Sequence, residues 1–161
     1  MVTIIDGLVA EHRVFLSLFD QMERVLPAVN SVDEIALFCR LLEPLLHNHG
    51  ATEADLAYIA LDHILQQRNQ LTRLHHDHQE LDGLLKDVEK IKDLPKARLR
   101  FRAVLDACRA HFDEEERCVF PLIERALQRE TLLVLGRTWK SCADLAPRPL
   151  RPGRASSSHP L

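Results

Sequence analysis

"AHFDEEERCVFPLIE", residues 110–124, sets one histidine and three successive glutamates inside a run whose other side is apolar. On a helix His111 and Glu115 lie one turn apart, so both side chains reach the same spot. The series Phe101, Val104, Leu105, Cys108, Phe112, Val119, Leu122 and Ala126 follows the 3.6-residue period, and His111 and Glu115 fall within its stripe. A helical reading therefore buries an imidazole and a carboxylate together. A carboxylate without a partner costs several kcal/mol in an apolar interior, so something there has to compensate its charge.

The rest of the chain sorts into helices around this segment. Glycine is scarce, at 5 of 161 residues, and β-branched alternation is nearly absent, which excludes a sheet protein. Helix A is expected from about Thr3 to Leu26, with Leu8, His12, Phe15, Phe19, Met22 and Leu26 inward. The "SVDE" stretch at Ser31–Glu34 supplies a capping box for helix B, which continues to about Gln67 with a kink at Pro44. Helix C carries the near-heptad series Leu71, Leu74, His78, Leu81, Leu85 and Val88. Asp93 and Pro95 open helix D, which bends at Pro121. A shorter fifth helix from about Gln128 to Ala146 contains Trp139. The expectation is an all-α, up-down-up-down antiparallel four-helix bundle over residues 1–146, followed by a disordered tail at 147–161, where proline, arginine and serine dominate.

The two halves resemble each other. "EHRVFLSLF" around His12 is echoed by "DHQELDGLL" around His78, and "HNHGATEADLAYIAL" by "RAHFDEEERCVFPLI", so that His49 and Glu53 match His111 and Glu115. Each half is a helix with one histidine followed by a helix with His-x-x-x-Glu. Packed together, the halves would gather His12, His49, Glu53, His78, His111 and Glu115 at mid-bundle, where facing helices build metal sites.

Imidazole with carboxylate suits iron, manganese or zinc, and the lack of neighbouring thiolates argues against a zinc finger or an iron–sulfur cluster. Six ligands exceed what one ion usually takes. They suit two ions bridged by Glu53 and Glu115, with each ion held by histidines from both halves. Such a centre leaves positions for water, oxygen, peroxide or nitric oxide. A ferritin-like bundle would carry Glu-x-x-His, which this sequence lacks.

In the order H...HxxxE...H...HxxxE these residues resemble the haemerythrin-like proteins with an HHE cation-binding domain, over about residues 3–128. The resemblance implies a non-haem, carboxylate-bridged centre of two iron ions. Oxygen-carrying members place a further histidine one turn before the third-helix ligand, where this chain has Leu74. That departure favours iron handling, sensing, or peroxide and nitric oxide chemistry over reversible oxygen transport. Catalase-like peroxide disproportionation is one expected activity. An iron- or redox-dependent sensor or interaction module without turnover is an alternative reading, and a mononuclear or zinc-filled structural bundle is another.

The neighbouring polar residues receive plainer roles. His47 reads as surface, with an exchange of roles with His49 as the alternative, and His63, His75 and His76 as surface or as support for the ligands. Glu11 and Asp77 point sideways and read as solvent-exposed, with a hydrogen bond to imidazole as the lesser alternative, and Glu114 and Glu116 form a solvated charge run. Tyr58 and Phe120 occupy matching positions and pack, with proton donation or coordination as a second role for Tyr58. Cys39, Cys108, Cys118 and Cys142 lack CxxC spacing and read as reduced, buried thiols. A formal net charge of -3 gives no general reason to expect nucleic acid. The opening residues MVTIIDGLVA lack a signal-peptide pattern and no run suffices for a membrane span, so the expected setting is the cytoplasm.

Overall fold

The structure, a computed structural model, describes residues 1–59 and 68–144, with side chains described for 1–59 and 78–141. Helix α1 spans Ile4–Val25, α2 Val32–Thr52, α3 Arg68–Glu89, α4 Leu94–Glu114, α5 Phe120–Ala126 and α6 Arg129–Asp144. No strand occurs among the described residues. Among those residues, five helices result when α5 is counted as the continuation of α4. The expected tail at 147–161, together with Leu145, Ala146 and His63, lies outside the described residues.

Local chemistry accounts for the helix starts. Thr3 Oγ1 accepts from the Asp6 backbone N–H at 3.1 Å while the Asp6 carboxylate accepts from the Thr3 N–H at 2.9 Å, a reciprocal cap at the head of α1. Ser31 Oγ accepts from the Glu34 N–H at 3.3 Å, as the "SVDE" stretch implies. The Glu34 side chain reaches one residue further back than a capping box would, to the Asn30 N–H at 2.8 Å. Asp93 accepts from the Lys96 N–H at 2.8 Å, and Pro95 sits in the first turn of α4, where its missing donor costs nothing.

Two places depart from the sequence reading. Helix B is not α-helical throughout: at Glu53–Tyr58 the winding widens to a π-helix, and its expected end near Gln67 lies outside the described residues. The same happens at Glu115–Val119, between α4 and α5. Both wide turns begin on the glutamate of a His-x-x-x-Glu pair. A π turn takes up extra residues and rotates everything beyond it relative to an α-helical projection. The expected inward set Val119, Leu122 and Ala126 accordingly shifts: Val119, Phe120, Ile123 and Leu127 are buried, whereas Leu122 and Ala126 are only half-buried. α2 runs through Pro44, and Pro121 is the second residue of α5, in a first turn where a missing N–H donor costs little.

Cross-helix pairs set the relative course of the elements. Arg40–Glu89, Glu43–Lys86 and His47–Asp82 advance along α2 while retreating along α3, at 3.5, 3.1 and 3.2 Å. Arg109 on α4 reaches Asp20 and Glu23 on α1 at 2.9 and 2.7 Å. α6 lies against α1. The interior forms two apolar clusters. One gathers Phe15, Phe19, Leu42, Leu85, Phe101, Leu105 and Phe112, among others. The second gathers Ile4, Leu8, Tyr58, Phe120, Ile123 and Leu132, among others. On α1, His12 falls between Leu8 of the second cluster and Phe15 of the first, so the buried polar residues form a layer where the clusters meet. Burial pushes the Cys39 and Cys108 thiols up to about 12, which leaves them inert. Cys118 is exposed, a correction to its expected burial that follows from its place in the second π turn. Among the described residues, no helix is long and apolar enough to cross a membrane.

Candidate metal centre

His12, His49, Glu53, His111 and Glu115 are the buried polar side chains among the described residues, and His78 is partly buried. The four imidazoles turn their Nε2 atoms toward one another and toward both carboxylates. Glu53 directs Oε1 at His12 and His49, at 3.7 and 3.5 Å, and Oε2 at His78 at 3.1 Å. Glu115 directs Oε2 at His12 at 3.4 Å and Oε1 at His111 and His78, at 3.2 and 3.7 Å. Each carboxylate therefore offers one oxygen to each side. Two groups of four donors result, His12–His49–Glu53–Glu115 and Glu53–His78–His111–Glu115, with both glutamates common to the two.

The histidines pair within halves, His12 with His49 and His78 with His111, which corrects the expectation that each ion would draw histidines from both halves. The consecutive helices of each half lay their imidazoles side by side, with Nε2–Nε2 separations of 3.0 and 2.8 Å. Each group still depends on both halves, through the glutamate of the other.

The donors are arranged for a cation. His12 Nδ1 lies 2.9 Å from Glu116 Oε1, and His49 Nδ1 lies 2.7 Å from Glu11 Oε2. A carboxylate only accepts, so both Nδ1 atoms carry the hydrogen, and in neutral rings both Nε2 atoms are then lone pairs. Two lone pairs facing each other at 3.0 Å repel unless a proton or a metal lies between them. Glu53 Oε1, Glu53 Oε2 and Glu115 Oε2 are buried without a hydrogen-bond partner, a costly state that a shared cation relieves. Electrostatics points the same way. Burial disfavours a charged His12, yet the Glu115, Glu53 and Glu116 carboxylates outweigh it and push the imidazole up to about 10. Burial likewise opposes ionisation of Glu115, but the facing His111 and His12 imidazoles hold it well below the usual carboxylate range. A nitrogen- and oxygen-donor set with converging carboxylates fits iron, manganese or zinc.

Around the donors, Glu11, Glu116 and Trp139 have larger roles than the sequence suggested. Glu11 and Glu116, read as solvent-facing, each accept from a site imidazole, because the neighbouring helices bring His49 and His12 across to them. Glu11 also accepts from Trp139 Nε1 at 2.9 Å. Tyr58 donates to Glu115 Oε1 at 2.5 Å and its ring lies parallel to that of His78, with centroids 6.4 Å apart. Phe112 and Phe120 stack on the His12 ring, at 4.1 and 5.5 Å, and shut water out on that side. His47 is exposed and pairs with Asp82, in keeping with its surface reading. The side chains of Leu74, His75, His76 and Asp77 lie outside those described. A cavity of about 160 Å³ opens between α2, α3 and α4, with Gly50, Ala54, His78 and His111 in its wall.

The family model of the hemerythrin HHE cation-binding domain matches residues 3–123, and the chain belongs to that family of cation-binding helical domains. No curated protein and no solved structure matches the chain.

Proposed function

We propose that this protein holds two iron ions in a carboxylate-bridged, non-haem centre and uses them to bind or react with a small oxidant or diatomic gas. The observation that carries this reading is the pair of four-donor groups that share Glu53 and Glu115, each carboxylate with one oxygen on either side. His12 and His49 would hold one ion, His78 and His111 the other. Bound there, iron would supply Lewis-acid and one-electron redox capacity. The chain's own residues do the rest. Glu11 and Glu116 fix the His49 and His12 tautomers, and Phe112 and Phe120 keep water from His12. Tyr58 holds a proton at its hydroxyl oxygen, on Glu115, within the enclosed centre. The cavity beside His78 is large enough for a two- or three-atom ligand. The cross-helix pairs support an up-down-up-down course for the four long helices around this centre. We keep the cytoplasm as its setting, where the buried Cys39 and Cys108 thiols would stay reduced.

Anaerobic purification followed by metal analysis and absorption spectra before and after air or peroxide tests the proposal. Two irons per chain and bridged ferric bands on oxidation are expected. A colourless zinc protein would overturn it. Sustained oxygen release on addition of peroxide, absent in His111→Ala, would assign catalase-like turnover; stoichiometric oxidation alone would assign binding or sensing.

A further inference from the structure

The matched family span ends at residue 123, and α6 begins at Arg129, beyond it. α6 nevertheless sends one side chain to the metal centre. Trp139 Nε1 donates to Glu11 Oε1 at 2.9 Å, and the other oxygen of that carboxylate accepts from His49 Nδ1 at 2.7 Å. A single glutamate thus spans the indole and the imidazole.

The close approach that makes this possible depends on two glycines. A Cβ on Gly7 would stand 2.9 to 3.0 Å from atoms of the Trp139 ring, so the indole lies directly on the α1 backbone. A Cβ on Gly136 would stand 2.3 Å from the Val2 carbonyl oxygen and 2.7 Å from the Thr3 carbonyl carbon, both main-chain atoms that cannot step aside. α6 and the head of α1 therefore touch backbone to backbone, one turn from Trp139. Leu132 of α6 is buried, and Leu135 packs against the same apolar cluster.

We propose that Trp139 is a positioning residue of the metal centre: by holding Glu11, it fixes the His49 tautomer and ring orientation, so that α6 is part of the site rather than packing added to it. The Glu11 side chain is 31% exposed. With His49 as its one partner it would sample other rotamers, and each excursion would release the Nδ1 hydrogen and free the ring to turn. The indole N–H supplies the second anchor. Loss of a partner that orients a ligating histidine typically lowers metal affinity by about 10- to 100-fold.

This inference rests on the metal-centre reading above, so its test includes one arm that needs no metal. In the metal-free full-length chain, proton NMR should show the His49 Nδ1 hydrogen as a slowly exchanging downfield resonance. Glu11→Ala should abolish it, Trp139→Phe should speed its exchange, and Leu135→Ala, which removes packing from the same helix but no hydrogen bond, should leave it in place. With ferrous iron added anaerobically against a competing chelator, Trp139→Phe should weaken one of the two equivalents about tenfold and Leu135→Ala neither. In the Glu11→Ala background Trp139→Phe should add nothing further, because the indole acts through that carboxylate. Unchanged His49 exchange in Trp139→Phe, or additive losses in the double variant, would overturn the proposal. An unmodified chain that binds no iron while the NMR pattern holds would overturn the metal-centre reading and leave the Trp139–Glu11–His49 relay standing.

Discussion

The two halves of the chain carry the same ligand pattern and surround it differently. His12 and His49 are 0% and 4% exposed and both rest on carboxylates, Glu116 and Glu11. On the other side the His78 side chain is 19% exposed, and it lines a cavity together with His111 and with His49 of the first side. The repeat explains part of the difference. Glu116 follows Glu115, and the residue in the matching place after Glu53 is Ala54, whose methyl group cannot accept a hydrogen bond and instead helps form the cavity wall. Tyr58 donates to Glu115, while Phe120, its counterpart, has no hydroxyl to offer Glu53. Duplicated ligands with unlike neighbours leave the His12 side fully enclosed and His78 the most exposed of the four imidazoles.

Removing what the halves share should have the largest effect. Glu53→Ala and Glu115→Ala each take a ligand from both groups, so metal content should fall well below two per chain and the bridged spectrum should vanish in both variants alike. Metal at about 1,000-fold above Kd stabilises the native state by about 4 kcal/mol, and the melting temperature should drop accordingly. A Glu53→Ala protein with a normal two-iron spectrum would show that the glutamates are not shared.

Proton and metal compete for the closed side. In the metal-free chain His12 is pushed up from 6.5 to about 10, so the stability it contributes is fully present below pH 6.5 and is lost as pH rises through 10. The melting temperature of the metal-free chain should decline between about pH 7 and 10, whereas the loaded chain, in which metal replaces that proton, should not follow it. Parallel curves for the two forms would contradict this account of His12.

The open side has its own sensitive point at Gly50. A Cβ there would lie 3.0 to 3.1 Å from the His78 ring, so Gly50→Ala should displace the imidazole by a few tenths of an ångström and weaken one metal equivalent about tenfold. Gly83→Ala on α3, where a Cβ meets nothing, should keep both equivalents and add up to about 1 kcal/mol of helix stability. Chelator competition distinguishes the outcomes, and equal weakening of both equivalents by Gly50→Ala would mean that the sides are not separable.

The smallest change makes the halves more alike. Tyr58→Phe puts the Phe120 side chain into the first half and removes the hydrogen bond to Glu115, at a cost of about 1 kcal/mol in thermal denaturation. Metal content should stay at two, with a shift in the bridged absorption bands as the only spectroscopic effect. Loss of an ion in this variant would make Tyr58 a ligand.

Much of this centre was legible in the sequence because its elements are local. A His-x-x-x-Glu pair places two donors on one helix face wherever the helix goes, and the inward series of α1 predicted Leu8, His12, Phe15, Phe19, Met22 and Leu26, all of which are buried. Three things depended on the tertiary structure. The roles of Glu11, Glu116 and Trp139 lie in contacts across 38, 104 and 128 residues, and no periodicity within one helix distinguishes such side chains from solvated ones. The partition of the histidines by half follows from which helices are neighbours, about which the repeat itself is silent. The burial of Ile123 in place of Leu122 follows from the π turn at Glu115–Val119, because one wider turn rotates every later residue about the axis, and a fixed 3.6-residue period cannot register it.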